Sequence, residues 1–326
     1  MTMQTTKAIR MTSTGGPEVM TYVDVELGAP AAGEIQVRHE AIGLNYIDVY
    51  FRTGLYPVPL PAGLGLEGAG VVTAAGEGVD FKPGDRVAYC DRPPGSYAQM
   101  RNMPAKSVVK VPDGIGLDTA AAMMLKGMTV EYLFHRTFQV QAGQTVLFHA
   151  AAGGVGQLMV QWAKALGAIV IGTVSNEEKA ALVQRLGCDY PIVYTKENFA
   201  DRVLQITDGE GVPVVYDSVG RDTFKESLRC TRPMGIAINY GTASGQVEPF
   251  PLQDLHSKSL SVCRPTLRTW IAKRSDLLRA SHELFDLLGS GRLRIDIAAH
   301  VPLHDAAQAH RLIEDRRTAG AIILDP

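Results

Sequence analysis

The chain has 326 residues, 46% of them hydrophobic and 20% charged, and 32 Lys+Arg stand against 34 Asp+Glu for a net charge of −2. That length suits two domains, since a single hydrophobic core rarely grows past about 250–300 residues. The charge balance excludes a basic field that would gather nucleic acid or anionic lipid, and no run approaches the roughly 20 apolar residues of a membrane span.

The first hundred or so residues read as short strands. Lys7–Met11, Glu34–Ala41, Gly70–Ala75 and Arg86–Tyr89 are β-branched or alternating, and "GGP", "KPGD" and "RPPG" punctuate them. This predicts a β-rich unit, a small barrel. From Asp118 the texture changes. Asp118 caps a helical segment, with Ala121, Leu125, Met128, Tyr132 and Leu133 near helical spacing. Strands and helices then alternate: "TVLFHA", helix 154–167, "AIVIGTV", helix 177–186, "PIVY", helix 197–207, "PVVYDSV", a helix from Asp222, and "GIAINYG". Repeated βα units predict a parallel sheet covered by helices on both faces. After Thr266 come a long helix (267–288), a strand near 293–297, a helix at 304–315 and the strand "AGAIILD", a tail expected to return to the first domain. The N-terminal segment MTMQTTKAIRMTSTGG lacks the apolar core of a secretory signal. Cys90, Cys188, Cys230 and Cys263 are scattered, with no C-x-x-C pair. A reduced, cytoplasmic protein without a disulfide framework or cysteine zinc site is expected.

The stretch "HAAAGGVGQLMVQWAKALGA" (149–168) concentrates the chemistry. Val155, Leu158, Met159, Trp162, Ala163 and Leu166 form one apolar stripe suited to lying on a sheet. Ala151, Gly153 and Gly156 stand where a dinucleotide site has G-x-G-x-x-G. Gly153 lets backbone approach a pyrophosphate, Gly156 lets helix pack on strand, and the helix N-terminus offers N–H groups to phosphate. Ala151 is tolerable in place of the first glycine if its φ stays negative. A structural turn is the alternative for the glycines alone; the flanking strand, helix and further βα units favour a dinucleotide. The second strand ends in Ser175-Asn176, followed by Glu177-Glu178-Lys179. A hydroxyl and a lysine there suit the 2′-phosphate of NADPH, whereas NAD sites carry a carboxylate. Glu177 dissents, unless it occupies the first turn of the next helix.

"AGQTVLFHAAAGGVGQLMVQWAK" (142–164) resembles the signature of the zinc-free quinone oxidoreductase/zeta-crystallin branch of the medium-chain dehydrogenase/reductase superfamily. "GGPEVM", "AIGLNYIDVYFRTGLYP", "GLGLEGAG", "KPGDRVAY", "LKGMT", "VVYDSVGRDT" and "SVCRPTL" follow in that family's order, so the resemblance spans the chain. It implies an α/β protein with a GroES-like β-barrel catalytic domain (1–125 and 267–326), a Rossmann domain (126–266) and an active-site cleft between them. Zinc-dependent cousins carry a Cys and a His where this chain has Asn45 and Leu66. Neither suits Zn²⁺, which prefers thiolate and imidazole.

The resemblance further implies NADPH-dependent reduction of a quinone, with Asn45, Tyr50 and Tyr56 toward the substrate. Asn45 would orient a carbonyl and the tyrosines would stack or donate; packed barrel residues are the other reading of both rings. It implies cofactor contacts from Tyr132, the turn Ala152-Gly153-Gly154-Val155-Gly156, Ser175, Lys179, Tyr194, Tyr240-Gly241-Thr242, Arg264, Pro265 and Arg316. Lys126 is either near the cofactor or a solvated helix lysine. Glu67 reads as a buried carboxylate bonded to backbone, His149 as structural, and Asp48 as a turn or interdomain hydrogen bond. A homodimer joined along "SLSVCR" (259–264), an edge of the Rossmann sheet, is also implied. An enone or alkenal reductase shares this fold and cofactor. An NADPH-regulated RNA-binding role would want a basic aromatic stripe, and only the isolated pairs Lys273-Arg274 and Arg316-Arg317 are present.

Overall fold

The alternating N-terminal segments pair as strands around one long central strand. In the structure, a computed structural model describing residues 3–91, 93–315 and 319–326, β1 (Gln4–Met11) pairs antiparallel with β2 (Thr21–Leu27). The 11-residue β3 (Glu34–Leu44) follows, and its Ile35, Val37, Ala41, Ile42 and Leu44 are buried. Next comes α1 (Tyr46–Thr53), a helix where only strands and turns were expected. Asn45 occupies its N-cap in extended conformation and Gly54 ends it left-handed at φ +84°, the residue types that start and stop helices. β4 (Ala62–Gly63), β5 (Glu67–Ala75), β6 (Arg86–Cys90), β7 (Met100–Pro104) and β8 (Val108–Lys110) then lead to α2 (Leu117–Tyr132). A single π-helical turn, Leu133–Thr137, extends α2.

The chain divides into two units: residues 1–128, 271–291 and 295–326, and residues 129–270 and 292–294. The second contains β9 (Thr145–Phe148), α3 (Gly154–Ala165), β10 (Ile169–Val174), α4 (Glu177–Arg185), β11 (Tyr190–Val193), α5 (Phe199–Ile206), β12 (Val212–Asp217), α6 (Phe224–Cys230), β13 (Thr231–Asn239), β14 (Ser261–Cys263) and α7 (Leu267–Trp270). Its six strands pair in parallel in the order β11-β10-β9-β12-β13-β14. That is the doubly wound arrangement in which the chain leaves β9 in opposite directions for its two halves, and ligands lie beyond the carboxyl ends at that switch point. β9 and β12 are apolar on both faces because helices cover both. β14 is an edge of this sheet, as "SLSVCR" predicted.

The tail comprises α8 (Arg274–Gly289), β15 (Ile297–Pro302), α9 (Ala306–Glu314) and β16 (Ala321–Asp325). β16 joins β3 antiparallel and β15 in parallel, completing the seven-stranded sheet of the first unit. The helix expected over 267–288 is therefore two, broken at 271–273 where the chain passes between units, and the strand expected near 293–297 starts at Ile297. Among the described residues no helix is long and apolar enough to cross a membrane.

Candidate active site

Five residues turn the chain between β9 and α3. Ala150 takes the left-handed conformation, φ +56°. Ala151, where the first fingerprint glycine is missing, does not. Its N–H donates to the Thr173 carbonyl on β10 (3.0 Å), and its methyl is fully buried. Room for that methyl comes from across the sheet, because a Cβ on Gly172 would stand 2.7 Å from the Ala151 Cβ. A glycine at 172 thus offsets the one absent at 151, a relation invisible to a fingerprint confined to the turn. Gly156 is required by contact, since a Cβ there would meet the carbonyl oxygens of Ala150 and, at 2.6 Å, Ala151. Gly153, the extended N-cap of α3, is exposed. With buried Ala152 and half-buried Gly154 and Val155, it sets the first N–H groups of α3 at the carboxyl edge of the sheet, where they and the helix dipole suit a phosphate.

The ends of β10 and β11 meet beside this turn. Ser175 follows β10; the Asn176 side chain caps α4 by accepting the Lys179 N–H at 2.9 Å, which fixes Lys179 in the helix's first turn. Parallel pairing up to Val174 and Val193 brings Tyr194 alongside. Its N–H donates to the Val174 carbonyl (3.1 Å), and the Thr195 hydroxyl donates to the Ser175 carbonyl (2.9 Å). The Tyr194 side chain is left 47% exposed. Glu177 is the first residue of α4 and is ion-paired with Lys196 at 2.5 Å, so it faces another partner rather than standing alone at the strand tip. A hydroxyl, an ammonium and an aromatic ring are gathered here.

Beyond β12 and β13, Asp217 organises the backbone. One of its oxygens accepts from the N–H groups of Val219 (2.8 Å) and Gly220 (2.9 Å), and the other accepts from the hydroxyls of Thr223 and Ser227 (2.8 Å each). Its own carbonyl accepts the Tyr240 N–H at 2.9 Å. The Tyr240-Gly241-Thr242 loop packs on Ser218 so closely that a Cβ on Gly241 would stand 2.5 Å from the Ser218 oxygen. Arg264, after β14, donates to the Asn239 carbonyl (2.9 Å), with Pro265 next in the chain. Tyr132 stacks on Trp270 at 5.9 Å and 9°; burial raises its hydroxyl's pKa, and Tyr240 and Arg264 also bear on it. These predicted residues therefore share the carboxyl end of the sheet. Arg316 lies outside the described residues. His149 is buried between the Thr173 and Ser227 hydroxyls (2.9 Å each). Burial lowers its pKa, Asp217 opposing; bonded on both ring nitrogens within the second unit, it is a structural link.

In the first unit, Tyr50 and Tyr56 come together, and Asn45 stands at the start of the helix that carries Tyr50. The Tyr50 and Tyr56 rings meet edge to face at 5.2 Å, and the Tyr56 N–H donates to the Tyr50 carbonyl (3.0 Å). The Asn45 amide donates to Glu67 Oε2 at 2.6 Å. Glu67 is fully buried at the start of β5; its Oε1 accepts the Leu125 N–H from α2 (2.7 Å), and its Oε2 also receives Lys126 Nζ at 3.3 Å. Gly43 makes this approach possible, since a Cβ there would collide with Glu67 and with the Ala121 carbonyl. Lys126 is 5% exposed, so it is not a solvated helix lysine. Glu67 bonds to backbone as expected, but it also joins Asn45 to Lys126, which its place in the sequence did not reveal.

Asp48 is the third residue of α1 and lies within the first unit, not between the two. One carboxyl oxygen accepts the Asn45 N–H (3.0 Å) and the Tyr97 hydroxyl (3.1 Å). Burial pushes its pKa up to about 7, against the pull of those two bonds. Tyr97 also meets His310 (3.1 Å), and Arg52 forms two bonds to Glu314 (2.7 and 2.8 Å). α1 is thereby tied to α9 and holds Asn45 at its start.

Two family models match the chain: an alcohol dehydrogenase GroES-like domain over residues 31–113, and a zinc-binding dehydrogenase over residues 154–283. The donors do not fit the zinc in the second description. Asn45 is committed to Glu67, Leu66 is a buried hydrocarbon, and no group of three or more His, Cys, Asp or Glu among the described residues is placed to hold a metal. A quinone oxidoreductase of Pseudomonas aeruginosa is 49% identical over 323 residues, covering 98% of this chain and 99% of that one. A 2-haloacrylate reductase of a Burkholderia species is 45% identical, covering 96% of each. The crystal structure of Escherichia coli quinone oxidoreductase complexed with NADPH superposes with a TM-score of 0.96 at 45% identity, covering 98% of this chain and 100% of that one. With likeness of that extent carried by both units, the chain belongs to the quinone oxidoreductase branch of the medium-chain dehydrogenase/reductase superfamily.

Proposed function

We propose that the chain is an NADPH-dependent quinone reductase that works without a metal. The observation that carries this reading is the corner formed by Asn45, Glu67 and Lys126, a buried polar cluster built on Asn45, the residue that stands where the resemblance puts a zinc-ligating cysteine in the zinc-dependent cousins. NADPH supplies the hydride from its nicotinamide. The N–H groups at the start of α3, reached across Gly153, bind the pyrophosphate; Ser175, Lys179 and Tyr194 take the 2′-phosphate and adenosine. Tyr132, Tyr240-Gly241-Thr242, Arg264 and Pro265 hold the nicotinamide end. Of the two Asn45 amide hydrogens, one is spent on Glu67, and the other orients the substrate carbonyl. Tyr50 and Tyr56 stack on the ring. A quinone carbonyl is already activated by conjugation, so positioning and one or two donors suffice.

The sheets of the first unit, joined at the Ala8–Ala98 bridge, make the GroES-like barrel in this reading. The exposed edge strand β14 pairs with its copy to form a homodimer, and the protein acts in the cytoplasm. The likeness to 2-haloacrylate reductase favours a second reading, reduction of an activated C=C bond by the same cofactor.

Initial rates of NADPH and NADH oxidation, measured on chelator-treated protein with 1,4-benzoquinone and with an α,β-unsaturated ketone, test the assignment. Fast turnover with NADPH and benzoquinone, slow with NADH and indifferent to chelation, is expected. Turnover of the enone alone replaces the quinone reading with the second, and equal use of NADH removes the roles given to Ser175 and Lys179.

A further inference from the structure

Lys126 is an unusual residue to find inside a protein. Its side chain is 7% exposed, and its one hydrogen bond among the described residues is the 3.3 Å contact to Glu67. Burying an ammonium is costly unless close pairing offsets the lost hydration, and this pair is loose. The hydrogen bonding of Glu67 does not depend on it, because the Asn45 amide at 2.6 Å and the Leu125 N–H at 2.7 Å already serve both carboxylate oxygens; only the charge of Glu67 does. The ammonium is the weakest of three donors on that carboxylate, and an ammonium has three N–H groups. The helix that carries it is closely packed: Lys126 lies on α2 one residue before Gly127, and a Cβ on Gly127 would collide with both methyl carbons of Leu284 on α8. Lys126 and Asn45 share a single carboxylate oxygen, so the two donors stand side by side on it.

We propose that Lys126 is a catalytic residue, the cation that stabilises the oxygen on which charge develops and then protonates it. This rests on the quinone-reductase reading and gives the site its electrophile. Hydride arriving at the conjugated ring pushes an electron pair onto the carbonyl oxygen. One Nζ–H bond breaks as an O–H bond forms, leaving a neutral amine that regains its proton from solvent; the ring carbon that took the hydride then gives up a proton as the second carbonyl oxygen gains one, and this tautomerisation yields the hydroquinone. The sum is one quinone, one NADPH and one proton giving one hydroquinone and one NADP⁺. A preorganised charge in a water-poor corner is an effective stabiliser of such an oxygen. Glu67 keeps the resting site neutral and positions both donors. The other ionisable groups bearing on the corner are Asp48 of α1, which feels both Glu67 and Lys126, and Tyr89, Cys90 and Tyr97, whose ionisation Glu67 opposes.

The test compares binding of 4-nitrophenolate, a mimic of the charged product oxygen, with binding of 4-nitroanisole, which has the same ring and cannot ionise. Wild-type protein should favour the phenolate by about tenfold or more, the effect of a cation within roughly 4–6 Å. Lys126→Met should lose that preference and lower kcat for benzoquinone more than it raises KM, while NADPH binding persists. Lys126→Arg should keep the preference. Because Lys126→Met strands Glu67, Lys126→Met/Glu67→Gln supplies a neutral pair in which the same loss is expected. A wild type without the preference, or a folded Lys126→Met or double variant that retains it, overturns the proposal. Wild-type turnover of benzoquinone with NADPH is scored separately, so failure of the underlying function is told apart from failure of the lysine.

Discussion

Replacing Asp48 by asparagine should change how stability depends on pH. Asp48 is fully buried; one oxygen is bonded to the Asn45 N–H and the Tyr97 hydroxyl, and the other has no partner among the described residues. Burial raises its pKa from 3.8 to about 7. Between those values the folded chain keeps a proton that the unfolded chain has released, so stability falls as pH rises through that window. A gap of about 3 pH units at about 1.4 kcal/mol each amounts to roughly 4 kcal/mol, fully expressed above pH ~7 and absent below pH ~4. Asp48→Asn cannot ionise, and its carbonyl can still accept from both donors. Denaturant midpoints should place the variant level with or below the wild type near pH ~4, and above it by up to roughly 4 kcal/mol near pH ~8. Three buried histidines add a slope of opposite sign. Burial lowers His39 to about 4 and His310 to about 3 from 6.5, and lowers His149 as well, so their stabilisation is present above pH 6.5 and is lost as pH falls through the lowered values. All three remain in the variant, and the difference between the two curves isolates Asp48. A difference that stays constant from acid to alkaline pH would refute the reasoning.

Two further substitutions separate framework from cofactor chemistry. Gly156→Ala pushes a methyl into the backbone of Ala150 and Ala151 and should cost roughly 1–3 kcal/mol of stability, read by thermal melting; an unchanged melt would show that α3 does not depend on this close approach. Lys179→Ala should weaken NADPH binding by about tenfold, the loss of one partly exposed charge-assisted contact, while leaving NADH nearly unchanged. Equal losses for both, measured by cofactor fluorescence, would place the lysine away from the 2′-phosphate.

How far the sequence could be read depends on whether a signal is local. The βα series of the second unit repeats one pattern of apolar strand, turn and amphipathic helix, and each element is written within its own ten or so residues; β9 through β13 fall close to where periodicity puts them. Helix α1 carried local signals too. Asn45 as N-cap, Asp48 three residues on and Gly54 at the end form a legible frame, although it is short and set among β-strand patterns on both sides. The break at 271–273 had no such signal, because "TWIAKRSDLL" continues a helical pattern and the interruption arises where the chain passes from one unit to the other.

The site divides along the same line. Ser175, Lys179 and the glycines occupy fixed offsets from strand ends, so a sequence spacing becomes a spatial one. The corner at Glu67 is different: Asn45 follows β3, Glu67 opens β5 and Lys126 lies on α2, and only the pairing of β3 with β5 and the lack of a side chain at Gly43 bring them together. Ala151 and Gly172 make the same case, since they are 21 positions apart in the numbering and one Cβ apart in space. Such relations are properties of register. A lysine that looks solvated from its helix becomes buried once α2 packs beside β5, and a glutamate that looks like a structural remnant becomes the group that holds two donors side by side. Reactivity at this corner therefore depends on three separate segments meeting at one carboxylate, and a substitution at Gly43, which touches no substrate in any reading, should disturb Asn45 and Lys126 together.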